Sequence, residues 1–241
     1  GNILTLQRRE VPTMPDYDPI CDEPKAYPMY ARVVADKGET ICVDEWSRIK
    51  VRYLFSQTED NQHAYNAGSS DSSRDSAWVE VLTSWAGEGF GERYHPRVNE
   101  LVVLDHIDGN IDRPIVIGRV HESTRSPTKF DNKGKLPDTR YLSGVRTSEI
   151  KNNANYNQLR FDDTPNQISA QLQSSHAATQ LNLGNLSHPK DKEVSDGRGE
   201  GFELRTDAYG AMRAGKGMLI TIYLRANGAG HIKDMSETIG I

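Results

Sequence analysis

Apolar and polar positions alternate along this chain in short runs with a period of two, the signature of strands that bury one face. From Tyr30 onward the runs "YARVVAD", "ETICVDE", "RIKVRYLF", "AWVEVLTSW" (Ala77–Trp85), "ELVVLDHID" (Glu100–Asp108) and "PIVIGRVHE" (Pro114–Glu122) are rich in β-branched and aromatic residues. No helical pattern falls between them. Six short β runs within about ninety residues predict a small closed barrel, and a five-stranded OB-like barrel suits this size.

Further along, the strands become thinner. "NQLRFDD" sets Leu159 and Phe161 against Arg160 and Asp162, and "QISAQLQ" sets Ile168, Ala170 and Leu172 against Ser169, Gln171 and Gln173. "QLNLG" repeats the pattern with Leu181 and Leu183, "GFELRTD" with Phe202 and Leu204, and "MLITIYL" with Met218, Ile220, Ile222 and Leu224. Only 17 of the 60 residues from Tyr141 to Glu200 are apolar. Ordering the backbone costs about 1–2 kcal/mol per residue, and so few apolar groups in one chain do not offset it. The strands become viable if other copies complete the core, as in a β-helical prism wound from several chains around a shared apolar axis. The pattern therefore predicts an all-β protein and an obligate oligomer. Leu159, Phe161, Ile168, Leu172, Leu181, Leu183, Phe202, Leu204, Ile220 and Ile222 are its core candidates, with Arg160, Asp162 and Gln171 coating the outside.

Two weakly periodic stretches divide the chain. Residues 1–28 hold Pro12, Pro15, Pro19, Pro24 and Pro28 and read as an extended linker. "STRSPTKFDNKGKLPDT" reads as a second linker, over 124–140, which leaves a barrel at 29–123 and a needle-like segment at 141–241. The serine-rich "TEDNQHAYNAGSSDSSRDS" reads as a long exposed loop. A chain opening on Gly1 rather than Met is expected to be part of a longer one.

Composition narrows the function classes. The net charge of −5 argues against nucleic acid, which calls for a basic face. No run of eighteen apolar residues and no signal-peptide pattern is present. Cys21 and Cys42 lack CxxC spacing and read as two free thiols in preference to a structural disulfide, as in a protein made in the cytoplasm. None of the seven histidines takes the i, i+4 spacing of a helical metal site, so neither metal nor cofactor is expected.

Three stretches invite a chemical reading. "GAMRAGKG" (Gly210–Gly217) matches the front of a phosphate loop, but Gly217 stands where Ser or Thr must hold magnesium, and a strand-like run follows where a helix should begin. It reads as turn glycines between strands. Asp105, Asp108 and Asp112, with Glu88 and Glu92, could supply the carboxylate pair of a sugar- or peptidoglycan-cleaving enzyme, yet the spacing does not set two carboxylates across a cleft. His106 and Asp105 are strand neighbours and point to opposite faces. Trp78, Trp85, Phe90 and Tyr94 leave oligosaccharide or nucleic-acid binding as a third reading, with few Lys or Arg nearby to support it. Within "DGNIDRPIVIGRV" (Asp108–Val120), Gly109 and Asn110 are expected to supply a permissive turn, Arg113 to pair with a nearby carboxylate, and Pro114 to open a strand.

"WVEVLTSWAGEGFGERYHPRVNELVVLDHIDGNIDRPIVIGRV" (Trp78–Val120) resembles the OB-like module of the VgrG-type spike proteins of bacterial type VI secretion systems. "YNQLRFDDTPNQISAQLQSSH" (Tyr156–His176) is similar to the start of that family's intertwined triple-stranded β-helix. "LNLGNLSH" and "RGEGFELRTDAYGAMRAGKGMLI" (Arg198–Ile220) resemble stretches further along the shaft. The likeness covers most of the chain from about Tyr30, and the blocks Gly109–Ile115 and Asn157–Asp163 are its most specific parts. It implies a homotrimer related to the cell-puncturing needle of contractile phages. Such a spike is made in the cytoplasm and moved by the secretion machine to the extracellular space or a target cell. The expected partners are the secretion tube protein, a tip protein, carried effectors and a target membrane touched mechanically. The phage needle's lysozyme domain has no room between Val120 and Leu142, and no catalytic residue carries over.

Overall fold

The computed structural model describes residues 16–56, 59, 72–224, 228 and 230–232. Most of the serine-rich stretch, residues 1–15 of the N-terminal linker and most of the last residues lie outside that set. The chain divides into two units, Gly1–Pro127 and Thr128–Ile241. Among the described residues the regular structure is strand, apart from single 3-10 turns.

The first unit is the five-stranded barrel that the sequence predicts. Its strands are β1 (Met29–Val34), β2 (Lys50–Tyr53), β3 (Glu80–Val81), β4 (Leu101–His106) and β5 (Pro114–Arg119), in the order β2-β1-β4-β5-β3. β3 runs parallel to β5, and the other pairs are antiparallel. The sheet closes where Ile49 and Val79 exchange backbone hydrogen bonds of 2.9 and 2.8 Å, so neither β2 nor β3 is left as a bare edge. Period-two alternation places Ala31, Val33, Val51, Val102, Leu104 and Val116 inside with Ile49 and Val79.

Two of the six expected runs behave differently. "ETICVDE" forms no strand. The Asp44 carboxylate accepts from the backbone N–H of Trp46 and Arg48 and turns the chain, while Val43 still packs against the core. "AWVEVLTSW" keeps only two residues in β3, and beyond Val81 the chain leaves the barrel as a loop.

The β4–β5 turn also differs in detail. Asp108 and Gly109 take positive φ, of 60° and 74°, and Asn110 does not (φ −81°). Instead the Asn110 side chain accepts from the N–H of Asp112 at 2.8 Å. Arg113 pairs with Asp108 at 3.0 Å. Past β5, Glu122 receives both Arg32 of β1 and Arg125, and these bonds, Arg32 first, hold its carboxyl below the usual range.

The second unit is an antiparallel meander: β6 (Leu142–Arg146), β7 (Asn157–Asp162), β8 (Ser169–Ser174), β9 (Thr179–Ser187) and β10 (Gly197–Arg205), each paired with its sequence neighbours. β6 escaped the sequence reading because "LSGVR" holds only two apolar residues. Residues expected as a linker are part of this unit: Phe130 is buried, and Asp131 beside it is ion-paired under the sheet. The expected strand "MLITIYL" is absent, since residues 218–224 have no strand pairing and are largely exposed. A strand exists only where its N–H and C=O groups find another strand, and among the described residues this run has no such neighbour. The Gly215–Lys216 turn precedes it, but no strand follows, so the turn-between-strands reading of "GAMRAGKG" holds only in its turn. Cys21 and Cys42 are free thiols, and burial pushes that of Cys42 up.

Candidate functional site

The meander presents two faces of opposite chemistry. On one, the registers line up two rows that each cross all five strands: Val145, Leu159, Leu172, Leu181 and Leu204, then Ser143, Phe161, Ala170, Leu183 and Phe202. Directly opposed side chains lie close enough to touch across each strand pair, so the first row forms an apolar ridge over all five strands and the second over four, from Phe161 to Phe202. The ridges are open to solvent, with Leu172 60% and Phe202 78% exposed. An apolar surface of this extent on a folded unit marks a place for something else to bind.

The other face is polar and covered by the chain itself. Arg160 forms a buried ion pair with Asp131. Lys190, 1% exposed, reaches Asp162 at 2.7 Å and the Thr164 hydroxyl at 2.8 Å, and the other Asp162 oxygen accepts from the Thr164 N–H. Gln158 donates to Asp131 and to Gln171, Gln171 donates to Asn182, and Asn182 donates to Glu203. Arg198 closes the series with two bonds to Glu203, and these chiefly hold the Glu203 carboxyl below its ordinary range.

Arg160, Asp162 and Gln171 therefore do not coat the outside, as alternation alone suggested. They are among the most buried residues of the unit, because segments 128–140 and 188–196 supply Asp131 and Lys190 beneath the sheet. Charges taken out of water need partners, and here the partners come from outside the strands.

The expected core residues divide three ways. Leu159, Phe161, Leu172, Leu181, Leu183, Phe202 and Leu204 come together on the apolar face. Ile168 stands one residue before β8 and is 69% exposed. Ile220 and Ile222 join no strand among the described residues, so their expected register is not formed in the single chain. Sequence reasoning missed Val145, which opens the first row, and also Asp131, Gln158 and Lys190. The last three are polar residues, and periodicity assigns no buried role to polar residues.

The carboxylates that suggested hydrolysis are not gathered into a cleft. Asp108 is engaged by Arg113 on the surface, and Asp112 lies in the turn beside it. His106 and Asp105 do alternate: the His106 ring is buried with its Nε2 3.3 Å from the Tyr53 hydroxyl, while Asp105 accepts from the His106 backbone N–H. Among the described residues no group of three His, Cys, Asp or Glu could hold a metal ion, and no helix is long and apolar enough to cross a membrane.

Two family models match the two units. Residues 43–121 match the type VI secretion system/phage-baseplate injector OB domain, and residues 148–241 match the putative type VI secretion system Rhs element Vgr. The spike proteins VgrG2a and VgrG2b of Pseudomonas aeruginosa are each 42% identical over 207 residues, or 85% of this chain. The chain belongs to the VgrG spike family. It spans 22% of the length of VgrG2a and 18% of VgrG2b. The Vibrio cholerae protein named actin cross-linking toxin VgrG1 is 32% identical over 136 residues, covering 56% of this chain and 11% of the relative. A solved structure titled as the Tle1 effector bound to the VgrG spike is 33% identical, over 42% of this chain and 28% of that one. Its TM-score of 0.34 is too low for the superposition to bear on the fold.

Proposed function

We propose that three copies of this chain close their apolar sheet faces around a common axis and form a stiff, non-enzymatic spike segment. The observation behind this reading is the pair of apolar ridges, one over five strands and one over four, left open on a sheet whose other face is already satisfied by the chain's own charges. Leu159, Phe161, Leu172, Leu181, Leu183, Phe202 and Leu204 then form the dry centre, and Ile168 caps it. Burying a side chain of this kind contributes about 1.5–3 kcal/mol relative to leaving it in water, so two rows per copy drive firm association.

The run 218–224, unpaired in one copy, gains strand partners from the other two, and Ile220 and Ile222 then extend the centre. This is the three-chain β-helix expected of the family. Mechanical stiffness is the function such a body serves, through backbone ladders between chains and an axis without water. The VgrG relatives are named as spike proteins of type VI secretion, and this chain takes the same place. It rides the secretion tube, bears a tip protein, carries effectors and leaves the cell with the machine that drives it through a target membrane.

The test is Leu159→Asp, which sets three carboxylates against the axis. Sedimentation should show the assembly weakened while near-ultraviolet circular dichroism reports an intact barrel. An assembly as strong as wild type would show that this face is not the one that closes.

A further inference from the structure

β10 is the barest strand of the second unit. It pairs with β9 along one edge, and among the described residues no strand lies along the other. Of its nine residues only Glu203 is half-buried, and the rest are exposed. An unpaired row of N–H and C=O groups of this length is a template for one more strand. Two of the charges on it are already engaged, Arg198 by Glu203 and Arg205 by Asp207.

Glycines of positive φ mark close backbone approaches elsewhere in this sheet. At Gly184 (φ +96°) a Cβ would stand 2.6 Å from the Ile168 carbonyl oxygen, just before β8, and at Gly144 it would collide with the Leu159 carbonyl of β7. Gly201 (φ +112°) lies in the regular ladder directly opposite Gly184, yet a Cβ there would meet nothing within 4 Å. Gly199 sits at the register shift after Gly197, and that bulge accounts for its backbone. No irregularity accounts for Gly201. It holds the conformation of a close approach without the strand that approaches.

The second unit also holds a run patterned as a strand and lacking one. Met218, Ile220, Ile222 and Leu224 alternate with Leu219, Thr221 and Tyr223, and the run pairs with no strand. The same copy does not bring this run to its own β10. The Asp207 N–H donates to the Ala177 carbonyl at 2.8 Å, and the Thr206 and Thr179 hydroxyls lie 2.8 Å apart, so the chain leaves β10 on the side of β9. Residues 206–217 then form a link of 12 residues. Extended, it reaches up to about 40 Å, ample to cross to a sheet packed about 10 Å away.

We propose that the open edge of β10 is the docking site for residues 218–224 of a second copy of this chain, with Gly201 placed to admit that strand's backbone. This rests on the reading of several copies closed over the apolar face, and it names the edge and the segment that link them. Continuity of the apolar face favours this occupant. The two ridges end on β10 at Leu204 and Phe202, and a strand added there carries them onward with Met218, Ile220, Ile222 and Leu224. Backbone pairing then satisfies both the bare edge and the unpaired run.

The experiment is photo-crosslinking of the full chain with benzoylphenylalanine in place of Tyr223, after unlabelled and isotope-labelled copies are unfolded together and refolded. The expected result is crosslinks between residues 218–224 and 197–205 in peptide pairs of mixed isotope. Gly201→Val should lose those crosslinks. Thr221→Pro, which removes a strand N–H from the run, should keep the three-copy mass and lose hydrogen-exchange protection across 197–205. Crosslinks of single isotope only would show the run folding back on its own β10, and crosslinks to any other segment would show a different edge; either would overturn the proposal. So would crosslinks that survive Gly201→Val, or a three-copy particle whose β10 protection ignores Thr221→Pro, and these two would leave the closure of several copies standing. A wild-type particle of 27.0 kDa would overturn both.

Discussion

Lys190 and Asp162 are each only 1% exposed at the side chain, and their 2.7 Å contact joins a segment outside the strands to the end of β7. A buried pair of this kind is weak evidence for net stability, because removing both charges from water offsets much of their attraction. Breaking it is another matter, since the survivor is left charged and unpaired. Lys190→Met should destabilise the second unit by about 3–5 kcal/mol in urea unfolding, and adding Asp162→Leu should recover most of that loss. A single substitution costing no more than a surface change would mean that water reaches the pair. Neither residue carries a sequence signal for this role. Asp162 fell on the polar side of an alternating run, and Lys190 sits in a segment with no pattern.

At the scale of the strand, Gly144 decides whether β6 can join the meander. Its φ is +133°, a region that side-chain-bearing residues rarely adopt, and a Cβ there would collide with the Leu159 carbonyl oxygen on β7. Gly144→Ala should therefore free β6, and hydrogen exchange should show lost protection at Val145 and at its partner Leu159, with β8 and β9 still protected. Unchanged protection would show that β6 can shift to accommodate the methyl group. β7, β8, β9 and β10 were legible because alternation over five or more residues has a period that helices cannot imitate. β6 was not, because its hold on β7 comes from a close backbone approach at a glycine rather than from apolar side chains. "MLITIYL" failed in the opposite sense: its pattern is the richest in the second half, yet a pattern specifies only which face a strand would bury, and pairing needs a neighbour. In the barrel, "ETICVDE" alternates too, but its Asp44 side chain bonds the following backbone and turns the run into a loop.

For the whole molecule, the barrel and the meander solve the burial problem differently. The barrel closes on itself through Ile49 and Val79 and keeps its eight-residue buried core to itself. The meander buries its polar face with its own segments and leaves its apolar face open, the reverse of an ordinary two-layer unit. That inversion is the feature on which the proposed closure of several copies over the apolar ridges rests. The sequence carried this at the level of composition, in strands too thin in apolar residues for a core of their own, and it located seven of the residues on the open face. It could not show what occupied the underside. Light scattering on the purified chain tests the central claim directly. Three copies closed around one axis give three times the 27.0 kDa chain mass, and a well-folded particle of 27.0 kDa would contradict the account.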